Sequence, residues 1–171
     1  MPSATHGIHL ETTKKSVVST IADIKKVIMK GAMRGVVTGF QEDYDSEGNI
    51  SAVRFIIRTK QADIPYLLPC RAGWIFDRLQ EGHEGRNVDE DYKKSQRIAW
   101  RQTFDWMRAT VGMVDQGQLK PQEAFFAFAV GKNGQTLFEN VEQAGYRGLL
   151  PESSLRTDDD DAVLDADFEE G

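Results

Sequence analysis

One cysteine in 171 residues, Cys70, excludes an internal disulfide and any multi-cysteine zinc site. Histidine is nearly as scarce, with three. His6 and His9 are spaced H-x-x-H, but nearby carboxylates or cysteines of ligand spacing are missing, so we read two solvated side chains and expect no metal. His83 has no evident partner. Long apolar runs are also missing: the longest uncharged apolar piece is Ala124 to Val130, far short of the roughly 20 residues that cross a bilayer. The first residues, MPSATHGIHLETTKK, contain no apolar h-region, so a secretory signal is not expected there. These absences together lead us to expect a cytosolic protein with no membrane partner.

Catalytic signatures are lacking as well. Gly131-Lys132-Asn133 has neither the preceding glycine nor the following hydroxyl of a phosphate-binding Walker loop. No dinucleotide fingerprint, G-x-S-x-G elbow or H-E-x-x-H occurs. The carboxylates concentrate in turns and at the carboxyl end, which gives no basis for paired acid and base work. We therefore expect no cofactor, no catalytic residue and no enzymatic activity.

What is present is an uneven charge. The net charge of −6 divides into +2 over residues 1–157 and −8 over residues 158–171, the latter holding eight acids and no base. A mildly basic body with an acidic tail leaves open a polyanionic partner that a low overall isoelectric point would argue against.

Hydrophobic periodicity organises the rest around Ser95 to Gly117. Trp100, Phe104, Met107, Val111 and Val114 recur at steps of four and three, so they form one helix stripe directed to a core. Lys94, Arg97, Arg101, Asp105 and Arg108 occupy another sector, with Arg101 and Asp105 at ion-pair spacing. Ile98, Ala99, Trp106 and Met113 make a second apolar strip, which predicts neighbours on two sides. Asn87 with Glu90 offers a capping-box-like start, and Gly117 a stop. Upstream, Val17, Ile21, Ile24 and Ile28 predict an amphipathic helix ended by Gly31.

Val36 to Phe40, Ile50 to Lys60 and Ala62 to Leu68 read as strands of an antiparallel meander. The middle run alternates Val53, Phe55 and Ile57 on one face with Arg54, Ile56 and Arg58 on the other, which predicts one covered and one open face. Arg54 and Arg58, with Phe40 and Tyr66 alongside if register allows, would make the platform of guanidinium groups and rings on which single-stranded nucleic acid stacks. The plainer reading is that basic residues keep an exposed sheet soluble. Between the first two strands, Asp43, Asp45, Glu47 and Gly48 match the opening of an EF-hand loop. Position twelve is Arg54 where a bidentate Glu is needed, so we read a hairpin turn.

Arg71 to Gln80 reads as a short helix. For QEAFFAFAV we favour a short buried helix with Phe125, Phe128 and Ala129 inward, leaving open a strand closed by an Asn133-Gly134 hairpin. Thr136 with Glu139 is a capping box for a helix from Leu137 to Ala144. The expected organisation is a flexible arm over residues 1–12, one α+β domain over 13–151 and a disordered acidic tail over 152–171. Its fold class is α+β: a three-stranded antiparallel meander packed on a long central helix and several shorter helices.

The tail, DDDDAVLDADFEEG, sets Val163, Leu164 and Phe168 among its acids. It resembles the carboxyl-terminal tails of bacterial and phage single-stranded-DNA-binding proteins, although those end on an apolar residue and this one continues past Phe168 to Glu169, Glu170 and Gly171. The resemblance implies partner binding through Asp158, Asp159, Asp160, Asp161 and Phe168. Ala99-Trp100-Arg101, Asp105-Trp106, Gly134-x-Thr136-Leu137, Ile64-Pro65 and Leu68-Pro69 together resemble a group of small proteins of phages and mobile elements over residues 15–150. That group has no settled biochemical role. The resemblance implies a phage setting, hence host-cell cytoplasm, and carries over no site residues.

Two functional readings follow. In the first, the chain is a non-enzymatic accessory protein of phage replication or recombination that binds nucleic acid, above all single-stranded DNA, through Arg54, Arg58, Arg97, Arg101 and Arg108 with Phe40 and Tyr66 stacking. In the second, it binds and modulates a host protein such as a defence factor or polymerase, its tail imitating nucleic-acid charge. A virion component is a third. Trp106 belongs either inside the domain or in a homo-oligomer interface.

Overall fold

Ser16 starts the first helix by accepting a hydrogen bond from the Ser19 backbone N–H (3.2 Å). The helix, α1, spans Val17–Ile28 and turns Ile21, Ile24 and Ile28 inward, each fully buried, while Lys25 and Lys26 occupy its last turn where the helix dipole favours cations. Burial of each isoleucine is worth about 1.5–3 kcal/mol. The computed structural model describes residues 7–81 and 87–155. These belong to two compact units, one up to Ala129 and one from Val130 onward.

In the first unit the meander is β1 (Val37–Tyr44), β2 (Ile50–Arg58) and β3 (Asp63–Pro69), antiparallel in that spatial order. From Val53 onward β2 alternates buried and exposed, with Val53, Phe55 and Ile57 in the core and Arg54, Ile56 and Arg58 outward. The helices α2 (Gly73–Gln80), α3 (Val88–Asp115) and the single turn α4 (Pro121–Ala124) complete the unit. At 28 residues α3 is about 42 Å long. Asn87 caps it, accepting from the Asp89 N–H (3.1 Å), one position nearer than a capping box would use. It ends where Gly117 adopts φ +72° and the Gln118 N–H reaches back to the Met113 carbonyl (2.9 Å).

The sheet packs on α3, and Trp100 ties the helix to it. Trp100 is fully buried, and its indole N–H donates to the Ile50 carbonyl at the head of β2 (3.1 Å). Phe104, Met107, Val111 and Val114 continue the predicted stripe and are all buried. The second strip divides. Ile98 and Ala99 are buried against Ala72, Ile75 and Leu79 around α2, whereas Trp106 and Met113 remain about 40% exposed. Residues 8–11 of the expected arm lie against the same region: Ile8 packs on the α2 cluster, the His9 carbonyl accepts from Gln102 (2.8 Å) and Glu11 pairs with Lys94 (3.3 Å).

The Phe-rich segment combines the two expected alternatives. After α4 comes a 3-10 turn over Phe126–Phe128, and Ala129 then bridges to Tyr66 in antiparallel fashion. Phe125 is fully buried between Phe55, Tyr66 and Trp106, with ring centroids 5.4, 6.4 and 5.8 Å away and steep interplanar angles. Phe126 points outward, 63% exposed.

In the second unit Val130 bridges to Thr136 around Asn133-Gly134, where Gly134 takes φ +80°. Thr136 and Glu139 form the predicted capping box, each accepting from the other's backbone N–H (3.2 and 2.7 Å) at the start of α5 (Leu137–Gln143). Tyr146, Leu149 and Leu150 are exposed, and Thr136 is the one buried residue among those described there. Among the described residues no helix is long and apolar enough to cross a membrane.

Candidate functional site

The open sheet face is built differently from the expected platform. Phe40 and Tyr66 lie directly opposite Phe55 on its two sides, so all three share the core-facing surface. Tyr66 is 1% exposed and stacks parallel on Phe55 (centroids 5.3 Å, 8°); its hydroxyl donates to the Gln122 carbonyl at 3.4 Å, and burial raises its pKa. Phe40 is half-buried with the Lys25 ammonium 5.6 Å from its ring centre. Neither ring can stack a base beside Arg54 and Arg58. The physical reason is register: a bulge between Thr38 and Phe40, at Gly39 (φ +72°), sets Phe40 against Phe55.

Arg54 and Arg58 do stand on the outward face, and each is met by a carboxylate from the adjoining strand. Arg54 Nε donates to Asp43 (2.6 Å), and Arg58 donates to both oxygens of Asp63 (3.0 and 3.4 Å). The face thus carries alternating charges with little net field.

The turn that imitates an EF-hand loop is committed to its own backbone. Asp45 accepts from the N–H groups of Glu47 (2.9 Å) and Asn49 (2.8 Å) and from the Tyr92 hydroxyl (3.2 Å). The Asn49 backbone bond, with the other donors, holds the Asp45 carboxyl below its ordinary pKa. Asp43 is engaged by Arg54, so the carboxylates a calcium ion would need are directed elsewhere. No group of three or more His, Cys, Asp or Glu that could hold a metal lies among the described residues. Burial pushes the half-buried Cys70 thiol up to about 12, which makes it a poor nucleophile.

Cations gather instead along α1 and α3. Asp23 on α1 is bonded by Lys15, and Arg101 approaches to 3.8 Å. The Lys15 hydrogen bond, then the charges of Lys15, Lys26 and Arg101, lower its pKa below 3.8. Arg101 also lies 4.0 Å from Asp105 and over the Phe104 ring (4.4 Å), and Arg108 lies 5.9 Å from the centre of the same ring. Arg97 stands one turn before Arg101 on the same sector and is half-buried. It lines a hollow of about 390 Å³ with Glu90, Asp91, Lys93 and Lys94, where opposite charges offset. Lys15, Lys26 and Arg101 therefore converge on Asp23, and Arg97, Arg101 and Arg108 share one sector of α3 over about 16 Å. Arg97, Arg101 and Arg108 are brought together. Arg54 and Arg58 are on the far side of the sheet, away from its packed face.

The carboxyl of Asp23 supplies a direct check on this convergence. A depressed native pKa contributes stability that is complete above the unfolded value and is lost as pH falls through the native one. Lys15→Met is expected to raise the Asp23 pKa toward 3.8, as followed by carboxyl carbon NMR. An unmoved titration would mean that Lys15 does not hold Asp23 in solution.

A groove on another side of α3 was not anticipated. Trp106 and Phe128 with Leu68 and Pro69 wall a space of about 280 Å³, edged by Arg71, Gln102 and Thr103. Its sequence signal was the second apolar strip, wider than a helix packed on one side requires. Asp158, Asp159, Asp160, Asp161 and Phe168, with His6 and His83, lie outside the described residues. Compared with protein-family models, with curated proteins and with solved structures, the chain matches none.

Proposed function

We propose that this chain is a non-enzymatic nucleic-acid-binding protein that holds the sugar-phosphate backbone on the α1–α3 face. The observation that supports the reading is the row of Arg97, Arg101 and Arg108 on one sector of α3, with Lys15 and Lys26 gathered beside Arg101 at Asp23. Phosphate contacts of Lys and Arg supply most non-specific affinity for nucleic acids, and a row on one helix presents them at intervals a backbone can follow. The paired arginines of the sheet contribute less, because a phosphate there must displace Asp43 or Asp63. Single-stranded DNA is the form we favour. The setting we propose, phage replication or recombination, rests on the resemblance over residues 15–150 alone.

The test is fluorescence anisotropy of labelled single-stranded and duplex DNA across a salt series. With three to five phosphates contacted by a single strand, log K should fall against log salt with a slope of about −2 to −3.5. Absence of binding at low salt would reject the reading.

A further inference from the structure

We propose that the groove between Trp106 and Phe128 receives one unstacked nucleobase, which makes the protein prefer single-stranded over duplex nucleic acid. The inference rests on the backbone-binding reading and adds to it a separate site on a separate sector of α3. Trp106 is 39% exposed although it sits in the longest helix of the protein. Its two ring neighbours meet it steeply, Phe125 at 87° and Phe128 at 62°, with centroids 5.8 and 5.6 Å away. Among the described residues no ring lies parallel on the indole, so a planar group from outside can take that position. The only parallel pair described, Phe55 with Tyr66, is sealed in the core.

The lining fits a base carried on an anionic chain. Leu68 and Pro69 supply an apolar wall, and among the described residues Arg71 is the one charged side chain that lines the groove and no carboxylate does. A guanidinium beside the rings suits a base with its flanking phosphate. The polar edge is fixed in place. Thr103 donates its hydroxyl proton to the Ala99 carbonyl (2.9 Å) and Gln102 donates its amide to the His9 carbonyl (2.8 Å). Gln102 lies between the Arg101 sector and Trp106 on the helix surface, at about 100° from the one and 40° from the other. A single strand whose phosphates follow the arginines can therefore turn a base across Gln102 into the groove. A duplex cannot do so without unpairing.

The experiment uses the full chain carrying Trp74→Phe, so that Trp106 and the fully buried Trp100 are the remaining indoles. A thymidine oligonucleotide, alone and annealed to its complement, is titrated while indole emission is read, and both are bound again by Trp106→Leu, which keeps the apolar contact with Phe125 but offers no ring. We expect quenching by the single strand alone, and in Trp106→Leu a roughly tenfold loss of single-strand affinity with duplex affinity unchanged. Emission unaffected by a single strand that anisotropy shows to be bound would overturn the base site and leave backbone binding intact. Equal losses for single strand and duplex in Trp106→Leu would also overturn it. No binding of either form would overturn both readings. The emission readout stands even where Trp106→Leu proves unstable.

Discussion

Replacing Arg97, Arg101 and Arg108 together by glutamate is expected to weaken DNA binding by about a hundredfold or more near 0.1 M salt. Each lost phosphate contact removes about 0.7 from the salt slope for a single strand, so three should remove about two, and the reversed charges add repulsion. The comparison that gives this result meaning is Arg54→Glu with Arg58→Glu. Those guanidinium groups are already held by Asp43 (2.6 Å) and Asp63 (3.0 Å), so the sheet pair should cost much less affinity. Arg101 also touches Asp23 and lies over Phe104, so thermal melting is measured beside binding, and Arg→Gln replacements serve where glutamate lowers stability. A triple variant with the parental salt slope, or a larger loss from the sheet pair, would move the interface to the open face of the sheet.

Gly31→Ala is expected to destabilise the protein by about 2–4 kcal/mol, from the left-handed backbone and the hydrogen bond that must yield. Gly31 has φ +55°, and a Cβ there would lie 2.2 Å from Asp115 Oδ1. Asp115 cannot swing away freely, because the same oxygen accepts the Ala32 backbone N–H at 2.7 Å. This bond joins the end of α3 to the turn that follows α1, and an acid is otherwise unfavourable at a helix carboxyl end. Asp115→Ala removes the bond and the obstruction together. The double variant should therefore be less destabilised than the sum of the singles, by more than the ~0.5 kcal/mol within which independent sites add. Urea unfolding of the four proteins measures this, and simple additivity would show that the two positions act separately.

The elements that were legible beforehand are those written in local periodicity. The stripe from Trp100 to Val114, the isoleucines of α1, the Thr136–Glu139 capping box and the alternation from Val53 to Arg58 all appear where the spacing put them. Each depends on residues within a turn or two of one another, and a 3.6 or 2.0 period expresses itself before anything distant is in place. The Phe-rich segment was harder, because helix and hairpin signals overlap there and Tyr66, 63 positions before Ala129, decides where the bridge forms.

The candidate site divides along the same line. That arginines repeat on one sector of α3 follows from spacing alone. That Lys15 and Lys26 join them depends on Asp23 of α1 coming within 3.8 Å of Arg101, which no local pattern contains. The half-exposed indole of Trp106 arises similarly, since Phe125 covers only part of a strip that the composition of the helix made uniformly apolar. The amino-acid order by itself determined the α+β class, the central helix, the meander and the charge division. Tertiary structure alone decided which face Phe40 and Tyr66 occupy and which guanidinium groups meet a carboxylate. A single bulge at Gly39 and the β2–β3 register placed Phe40 and Tyr66 with Phe55, because moving a strand by one residue exchanges its two faces.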